Sequence, residues 1–350
     1  MLEEIKIKNK KIGEKHSAFI VAEISANHLQ KFDYAIQLIK AAKKTGADAI
    51  KLQTYTPDTI TIDCNKTYFQ IKQETPWDGK TLYQLYKKAF MPWEWQPKLK
   101  KVAEENGLIF FSSVFDKTSV DFLEKINVPA YKIASFEITD IPLIEYVAAK
   151  KKPLIISTGI ATLSDIEEAV NACRRVGNNQ IILLKCTSAY PTPLEEVNLR
   201  TIPNLRETFR TIVGLSDHTL SISVPTVAVA LGAKIIEKHF TLDRDSGSLD
   251  ATFSLEPEEF KAMVNSIREA EKALGEVSYK LSEKIKKNRE FARSLFVVKD
   301  IKAGKRFTEE NIKSVRPGYG LSPKYFKEIL GKKAKKNIKK GTPLYWNLIK

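Results

Sequence analysis

T-I-V-G-L-S-D-H, residues 211–218, and A-K-I-I-E-K-H-F-T-L, residues 233–242, decide how the chain is read. Each holds a short apolar run of the kind that forms a strand buried on both faces, and each run leads to a histidine, His218 in the first and His239 in the second. Between them Ser221 to Gly232 is small and apolar, as a crossover helix packed on a sheet is. The segment therefore reads as strand–helix–strand with an imidazole at the carboxyl end of each strand. In α/β barrels and open α/β sheets that end is where ligands bind. Two imidazoles at one mouth point to a divalent metal. The alternative is a pair of buried histidines satisfied by backbone carbonyls.

The same pattern extends outward in both directions. Apolar runs at 17–23, 48–53, 108–113, 130–135, 153–157, 180–187, 211–216 and 234–239 alternate with helical periodicity. A long insertion, Thr54 to Pro92, holds W-D-G-K-T-L-Y-Q-L-Y from Trp77, and insertions of that length inside a domain are commonly functional or carry a helix of their own. Ser164 with Glu167 reads as a capping box, Pro203 as a break in a helix over 194–209, and 257–274 as the closing helix. Eight strands and their helices over about 260 residues predict an α/β fold of the (β/α)8 TIM-barrel type rather than an open sheet. No G-x-G-x-x-G follows the first strand and no P-loop occurs, which argues against a nucleotide-binding sheet.

Every strand ends in polar groups: Glu23; Lys51 and Gln53; Ser112 and Ser113; Lys132 and Ser135; Ser157; Lys185 and Thr187; Ser216 and His218; Glu237 and His239. A lysine in a core strand must be paired or must meet a ligand, so Lys51, Lys132 and Lys185 with the serines suggest an anion site for phosphate or carboxylate. The alternative for any one lysine is an internal salt bridge, such as Lys238 with a helix carboxylate. A Schiff base on Lys51, Lys132 or Lys185 is a second enzymatic reading, against which the histidine pair argues.

Charge marks a boundary. Of the net +15, residues 286–350 carry 19 Lys and Arg against 5 Asp and Glu; the remainder carries 38 against 37. After a polar stretch at 282–289 the tail alternates short apolar runs with Gly and Pro turns, and Thr308 reads as the cap of a short helix over 309–312. The expected domains are a barrel over 1–281, a linker over 282–289 and a small β-rich module over 290–350. The basic tail could bind a polyanion, but its aromatic residues follow no RNA-binding motif, and no nucleic acid is expected as partner. No stretch of roughly 18 apolar residues occurs, so no membrane association is expected. Three cysteines without a CxxC pair, and a charged start over 1–15, suit a reducing cytoplasm.

The motifs A-E-I-S-A-N-H (22–28), A-I-K-L-Q-T-Y (49–55), Y-K-I-A-S-F-E (131–137), S-T-G-I-A (157–161) and K-C-T-S-A-Y-P-T (185–192) stand on successive strand ends. G-L-S-D-H (214–218), I-E-K-H-F (236–240) and S-L-D-A-T-F-S-L-E-P (248–257) complete the set. With these motifs in this order, the chain resembles the sialic acid synthase family over nearly its whole length. V-R-P-G-Y-G-L (315–321) makes the tail similar to the antifreeze-like (SAF) domain that ends those enzymes. The resemblance implies a condensation of phosphoenolpyruvate with an amino-sugar aldehyde that releases phosphate and a nine-carbon α-keto acid. It implies His218 and His239 as ligands of Mn²⁺ or Mg²⁺, and Lys51, Ser112, Lys132, Ser135, Ser157, Ser188 and Ser216 around phosphoenolpyruvate. Ser188 departs from the asparagine common in N-acetylneuraminate synthases. Glu23, Gln53, Tyr190 and Asp250 would meet the sugar, with Glu23 a candidate for proton transfer, and Phe291 and Arg316 would reach it from the tail. A homodimer in which the tail module closes the partner's site is implied too. The expected sugar is 2,4-diacetamido-2,4,6-trideoxy-L-altrose, with N-acetylmannosamine or the legionaminic acid precursor as alternatives.

Overall fold

The computed structural model describes residues 4–72 and 78–350, which form two compact units, Met1–Gly275 and Glu276–Lys350. Trp77, the first residue of the W-D-G-K-T-L-Y motif, lies outside the described residues.

In the first unit a hairpin, β1 (Ile5–Ile7) and β2 (Lys10–Ile12), precedes eight parallel strands. They are β3 (Phe19–Glu23), β4 (Ala49–Thr54), β5 (Ile109–Val114), β6 (Tyr131–Ile133), β7 (Leu154–Ser157), β8 (Ile181–Cys186), β9 (Ile212–Asp217) and β10 (Ile235–His239). Each pairs with the next and β10 pairs with β3, closing a barrel. The long helices are α1 (Phe32–Lys44), α4 (Gln96–Glu105), α5 (Lys117–Lys125), α6 (Ile141–Ala148), α7 (Leu163–Arg175), α8 (Thr201–Phe209), α9 (Ser223–Ala230) and α10 (Pro257–Leu274). The insertion after β4 holds α2 (Pro57–Ile60) and α3 (Leu82–Ala89). Among the described residues no helix is long and apolar enough to cross a membrane.

Two apolar layers follow from strand alternation. Ile20, Ile50, Phe110, Ile156, Leu183 and Ile236 face the helices. Phe19, Val21, Ala49, Phe111, Ile155, Leu184 and Ile235 fill the barrel, and Ile5, Ile7 and Ile12 of the hairpin pack into this inner cluster. Gly214 of β9 belongs to the inner row without a side chain, because an added Cβ would strike the Ile235 carbonyl and Leu184.

Local chemistry differs from the sequence reading at four places. Helix α7 is capped by Thr162, boxed with Asp165, instead of Ser164 with Glu167. Pro203 does not break a helix; it sits in the first turn of α8, where a missing N–H costs nothing. Residues 309–312 make a turn into β12 (Ile312–Val315), which pairs antiparallel with β11 (Ser294–Val297). The stretch over 282–289 carries a helix, α11 (Glu283–Asn288), capped by Ser282. A short helix, α12 (Phe326–Ile329), completes the second unit, whose core gathers Leu295, Val297, Phe307, Ile312, Ile338 and Leu344.

Candidate active site

The inner row of each strand continues past its apolar residues into polar ones. Val21 is followed two residues later by Glu23, Ala49 by Lys51, Phe111 by Ser113, Ala130 by Lys132 and Ile155 by Ser157. In the same way Leu184 leads to Cys186, Gly214 to Ser216, and Ile235 to Glu237 and His239. These side chains meet at the carboxyl end of the barrel. Lys51 Nζ lies in ion-pair contact with Glu23, 3.0 Å from Ser113 Oγ and 3.5 Å from Glu237 Oε1. Lys132 Nζ donates to Ser157 Oγ at 2.7 Å and lies 3.7 Å from the same Glu237 oxygen, to which Ser216 donates at 3.2 Å. Ser135 Oγ accepts from the Gly159 amide at 3.1 Å. A Cβ on Gly159 would strike Ser188 Oγ and come within 2.7 Å of Ser135 Oγ, so that glycine lets the strand-end loops close together.

Two buried lysines thus face two buried carboxylates. Burial raises the Glu23 carboxyl to about 7, against the pull of Lys51 and with a push from Glu237. Burial also acts to raise Glu237, but Lys132 and Lys51 overcome it and hold that carboxyl below its ordinary value. Glu237 is therefore the ionised member and Glu23 the one poised to carry a proton. Burial lowers Lys132. Lys51 is raised, because Glu23 and Glu237 outweigh its burial.

The imidazoles stand beside this cluster. The rings of His218 and His239 are 5.2 Å apart, with Tyr190 4.4 Å from His218 and Phe253 4.9 Å from His239. His218 Nδ1 lies 3.2 Å from the Thr187 carbonyl and 3.9 Å from Cys186 Sγ. His239 Nδ1 is buried without a hydrogen-bond partner, 3.9 Å from Asp250 Oδ2. The Asp250 carboxylate in turn accepts from the Ala26 amide at 3.2 Å.

This donor set fits a divalent ion. Burial acts to lower His218, but Cys186 and the Thr187 carbonyl overcome it and raise the ring above its ordinary value. Once that proton is lost the Thr187 carbonyl holds the remaining one on Nδ1 and Nε2 is the lone pair, while His239 has a buried nitrogen with nothing to bond. Among the described residues no group of three or more His, Cys, Asp or Glu gathers as a cage, so an ion held here would rest on the imidazole pair. Burial, His218 and the nearby lysines push His239 well below its ordinary value, which keeps the ring neutral.

Strand alternation sorts the residues read from sequence. Glu23, Lys51, Gln53, Lys132, Ser157, Ser216, His218 and His239 occupy inner-row positions, and Ser135, Ser188, Tyr190 and Asp250 stand on the loops around them. Ser112 does not join them. Its hydroxyl points outward, 2.6 Å from Thr54 Oγ1, which donates to Gln96 of α4, while Ser113 takes the place beside Lys51. Lys185 also faces outward, bonded to the Cys186 carbonyl and Thr187, so two lysines rather than three meet at the mouth. Lys238 pairs with Asp217 on the neighbouring strand instead of with a helix carboxylate. Sequence reading left out Cys186 and Glu137, and noted Glu237 only as a strand end. Counting back two residues from His239 was the signal for Glu237. Glu137 lines a cavity at the barrel mouth together with His239 and Asp250, with one oxygen unbonded, and burial raises it to about 7.

In the second unit Phe291 and Arg316 are both exposed. Their segments meet where the Gly318 amide donates to the Glu290 carbonyl at 2.8 Å.

Residues 38–279 match the NeuB family and residues 292–350 the SAF domain. The chain is 51% identical to the pseudaminic acid synthase of Campylobacter jejuni over 93% of its own length and 95% of that protein. It is 38% identical to the N,N'-diacetyllegionaminic acid synthase of Legionella pneumophila, over 96% of each. Among solved structures, the N-acetylneuraminic acid synthetase of Leptospira borgpetersenii, in complex with citrate, superposes with a TM-score of 0.74 at 32% identity. That match covers 82% of this chain and 95% of the other.

Proposed function

The chain belongs to the NeuB family, and from that premise we propose that it is a pseudaminic acid synthase. It would condense phosphoenolpyruvate with 2,4-diacetamido-2,4,6-trideoxy-L-altrose. The observation that carries the reading is the joining of Lys51, Lys132 and Glu237 with His218 and His239 at one barrel mouth. The choice of sugar rests on the difference between 51% and 38% identity to the two synthases compared above.

Lys51 and Lys132, with Ser113 and Ser157, would hold the phosphate and carboxylate of phosphoenolpyruvate, displacing part of their present pairing with Glu23 and Glu237. His218 and His239 would hold Mn²⁺ or Mg²⁺, which when bound supplies Lewis-acid polarisation of the sugar aldehyde. C3 of phosphoenolpyruvate attacks that carbon, and its oxygen ends as a hydroxyl. Water then adds at the cationic C2, and phosphate leaves with its own oxygen, so the new ketone oxygen comes from water. Glu237, kept ionised between two ammonium groups, is placed to take a proton from that water, and Glu23, near neutral pH in its titration, to pass one on. The enzyme would work in the cytoplasm as a homodimer, with Phe291 and Arg316 of one subunit's tail closing the other's site.

Phosphate release is measured with phosphoenolpyruvate and each of the three candidate sugars. Fastest turnover of the altrose derivative, abolished by EDTA and restored by Mn²⁺, is the expected result. Preference for N-acetylmannosamine overturns the sugar; undiminished turnover in excess EDTA overturns the metal.

A further inference from the structure

The insertion after β4 carries an apolar face that the core does not take. In α3, Leu82, Leu85, Tyr86 and Ala89 recur at i, i+3, i+4 and i+7, one side of a helix started by the Thr81 capping box. Such a stripe is ordinarily fully buried, yet every one of its residues in α3 is only half-buried. Leu85, Tyr86 and Ala89 instead line a cavity of about 510 Å³ that also contains His239 and Asp250. Helix α2 packs on α3 and adds Ile60 to the same lining. Buried Tyr55 joins this side, its ring 5.7 Å from Tyr86 and 5.1 Å from Phe115. The rings around the imidazoles, Tyr190 and Phe253, form a separate cluster. The cavity is thus polar where His239 and Asp250 stand and, the Tyr55 and Tyr86 phenol oxygens aside, apolar where the insertion borders it, and its size suits one small ligand.

We propose that the α2–α3 face is the specificity wall of the enzyme, built to take the methyl terminus of a 6-deoxy sugar and to reject the same sugar bearing a 6-hydroxyl. The inference rests on the synthase reading above, and it names which residues choose the substrate. A methyl group against Ile60, Leu85 and Ala89 removes apolar surface from water on both sides. A hydroxymethyl group in the same place gives up its bonds to water and meets aliphatic side chains that return none. Discrimination over one such group is on the order of tenfold to a hundredfold in kcat/KM.

The test compares the 6-deoxy and 6-hydroxy forms of the diacetamido-altrose aldehyde, which differ at C6 alone. The wild type favours the deoxy form. Leu85→Asn, close in size to leucine but polar, is expected to shrink the ratio of kcat/KM values about tenfold, and Leu85→Met to keep it. Ile60→Asn should act in the same direction and carries the test if Leu85→Asn does not melt cooperatively. An unchanged ratio in the folded polar variants overturns the wall. So does an unchanged ratio with a fall in solution mass, which would make the face a contact between subunits. A wild type that ignores both altrose sugars but uses the legionaminic acid precursor, itself a 6-deoxy sugar, overturns the proposed sugar only, and the wall is then tested with that sugar and its 6-hydroxy analogue on the same variants. Use of N-acetylmannosamine, which bears a 6-hydroxyl, overturns sugar and wall together.

Discussion

Ser112 and Ser113 are adjacent, both buried, and face opposite sides of one strand. Ser113 bonds Lys51 inside the barrel; Ser112 bonds Thr54 behind it. Ser113→Ala should raise KM for phosphoenolpyruvate about tenfold, the worth of one hydrogen bond to a charged group. Ser112→Ala should leave KM alone and cost about 1 kcal/mol of stability, read by urea unfolding. The reverse outcome would mean that the strand's facing is wrong. His28 makes a prediction of another kind. It is buried, accepts the Gln30 amide on Nδ1 at 3.0 Å and stands edge-on to Trp95. Burial lowers its pKa from 6.5 to about 4. Between those values the unfolded chain binds a proton that the folded chain does not, so stability falls as pH drops through 6.5 toward 4, by up to about 3 kcal/mol. Unfolding free energies at pH 7.5 and 4.5 should differ less in His28→Asn than in the wild type; equal differences would remove His28 as the cause.

At the scale of elements, β9 and β10 are joined by more than backbone bonds. Asp217 and Lys238 are register partners, wholly buried on the outer face, with Nζ 2.5 Å from Oδ2. Asp217 also accepts from the Thr219 amide at 2.9 Å, and Lys238 reaches the Thr219 carbonyl. The pair stands one residue from each of the two imidazoles, His218 and His239, and so holds the strand ends that carry them. Asp217→Ala leaves an ammonium buried without its carboxylate and should cost about 3–5 kcal/mol, visible as a lowered urea midpoint. Pairing it with Lys238→Met should recover much of that loss, since the uncompensated charge is then gone. A single variant within about 1 kcal/mol of wild type would show that water or another group takes over.

Over the whole molecule, the proposed dimer makes a prediction for the tail. Arg316 is exposed, and a guanidinium can bond a sugar's amide carbonyl through a fixed fork that lysine lacks. If it acts on the partner's barrel, His218→Ala and Arg316→Ala, each inactive alone, should complement after subunit exchange. The mixed dimer then has one site with an intact barrel and an intact borrowed arginine. Action within one chain leaves each site lacking a part, so exchange confirmed by mass with no recovery of phosphate release overturns the trans arrangement.

By itself the sequence determined that eight doubly buried strands alternate with helices, that their carboxyl ends carry histidines and lysines, and that a basic module follows. Those features are local: apolar runs, their spacing, the residues that stop them and the charge step at 286. Only the tertiary structure decided which side of each strand faces inward. A strand buried on both faces has no polar alternation to read, so Ser112 could not be told from Ser113, nor Lys185 from Lys51, before the barrel closed. Closure also placed Ile5, Ile7 and Ile12 of a charged N-terminal stretch among the barrel's inner residues. It paired Lys51 with Glu23 and Lys238 with Asp217, and set the half-buried face of α3 on the cavity that His239 lines. Each of these joins residues far apart in the chain, and periodicity reports only on neighbours.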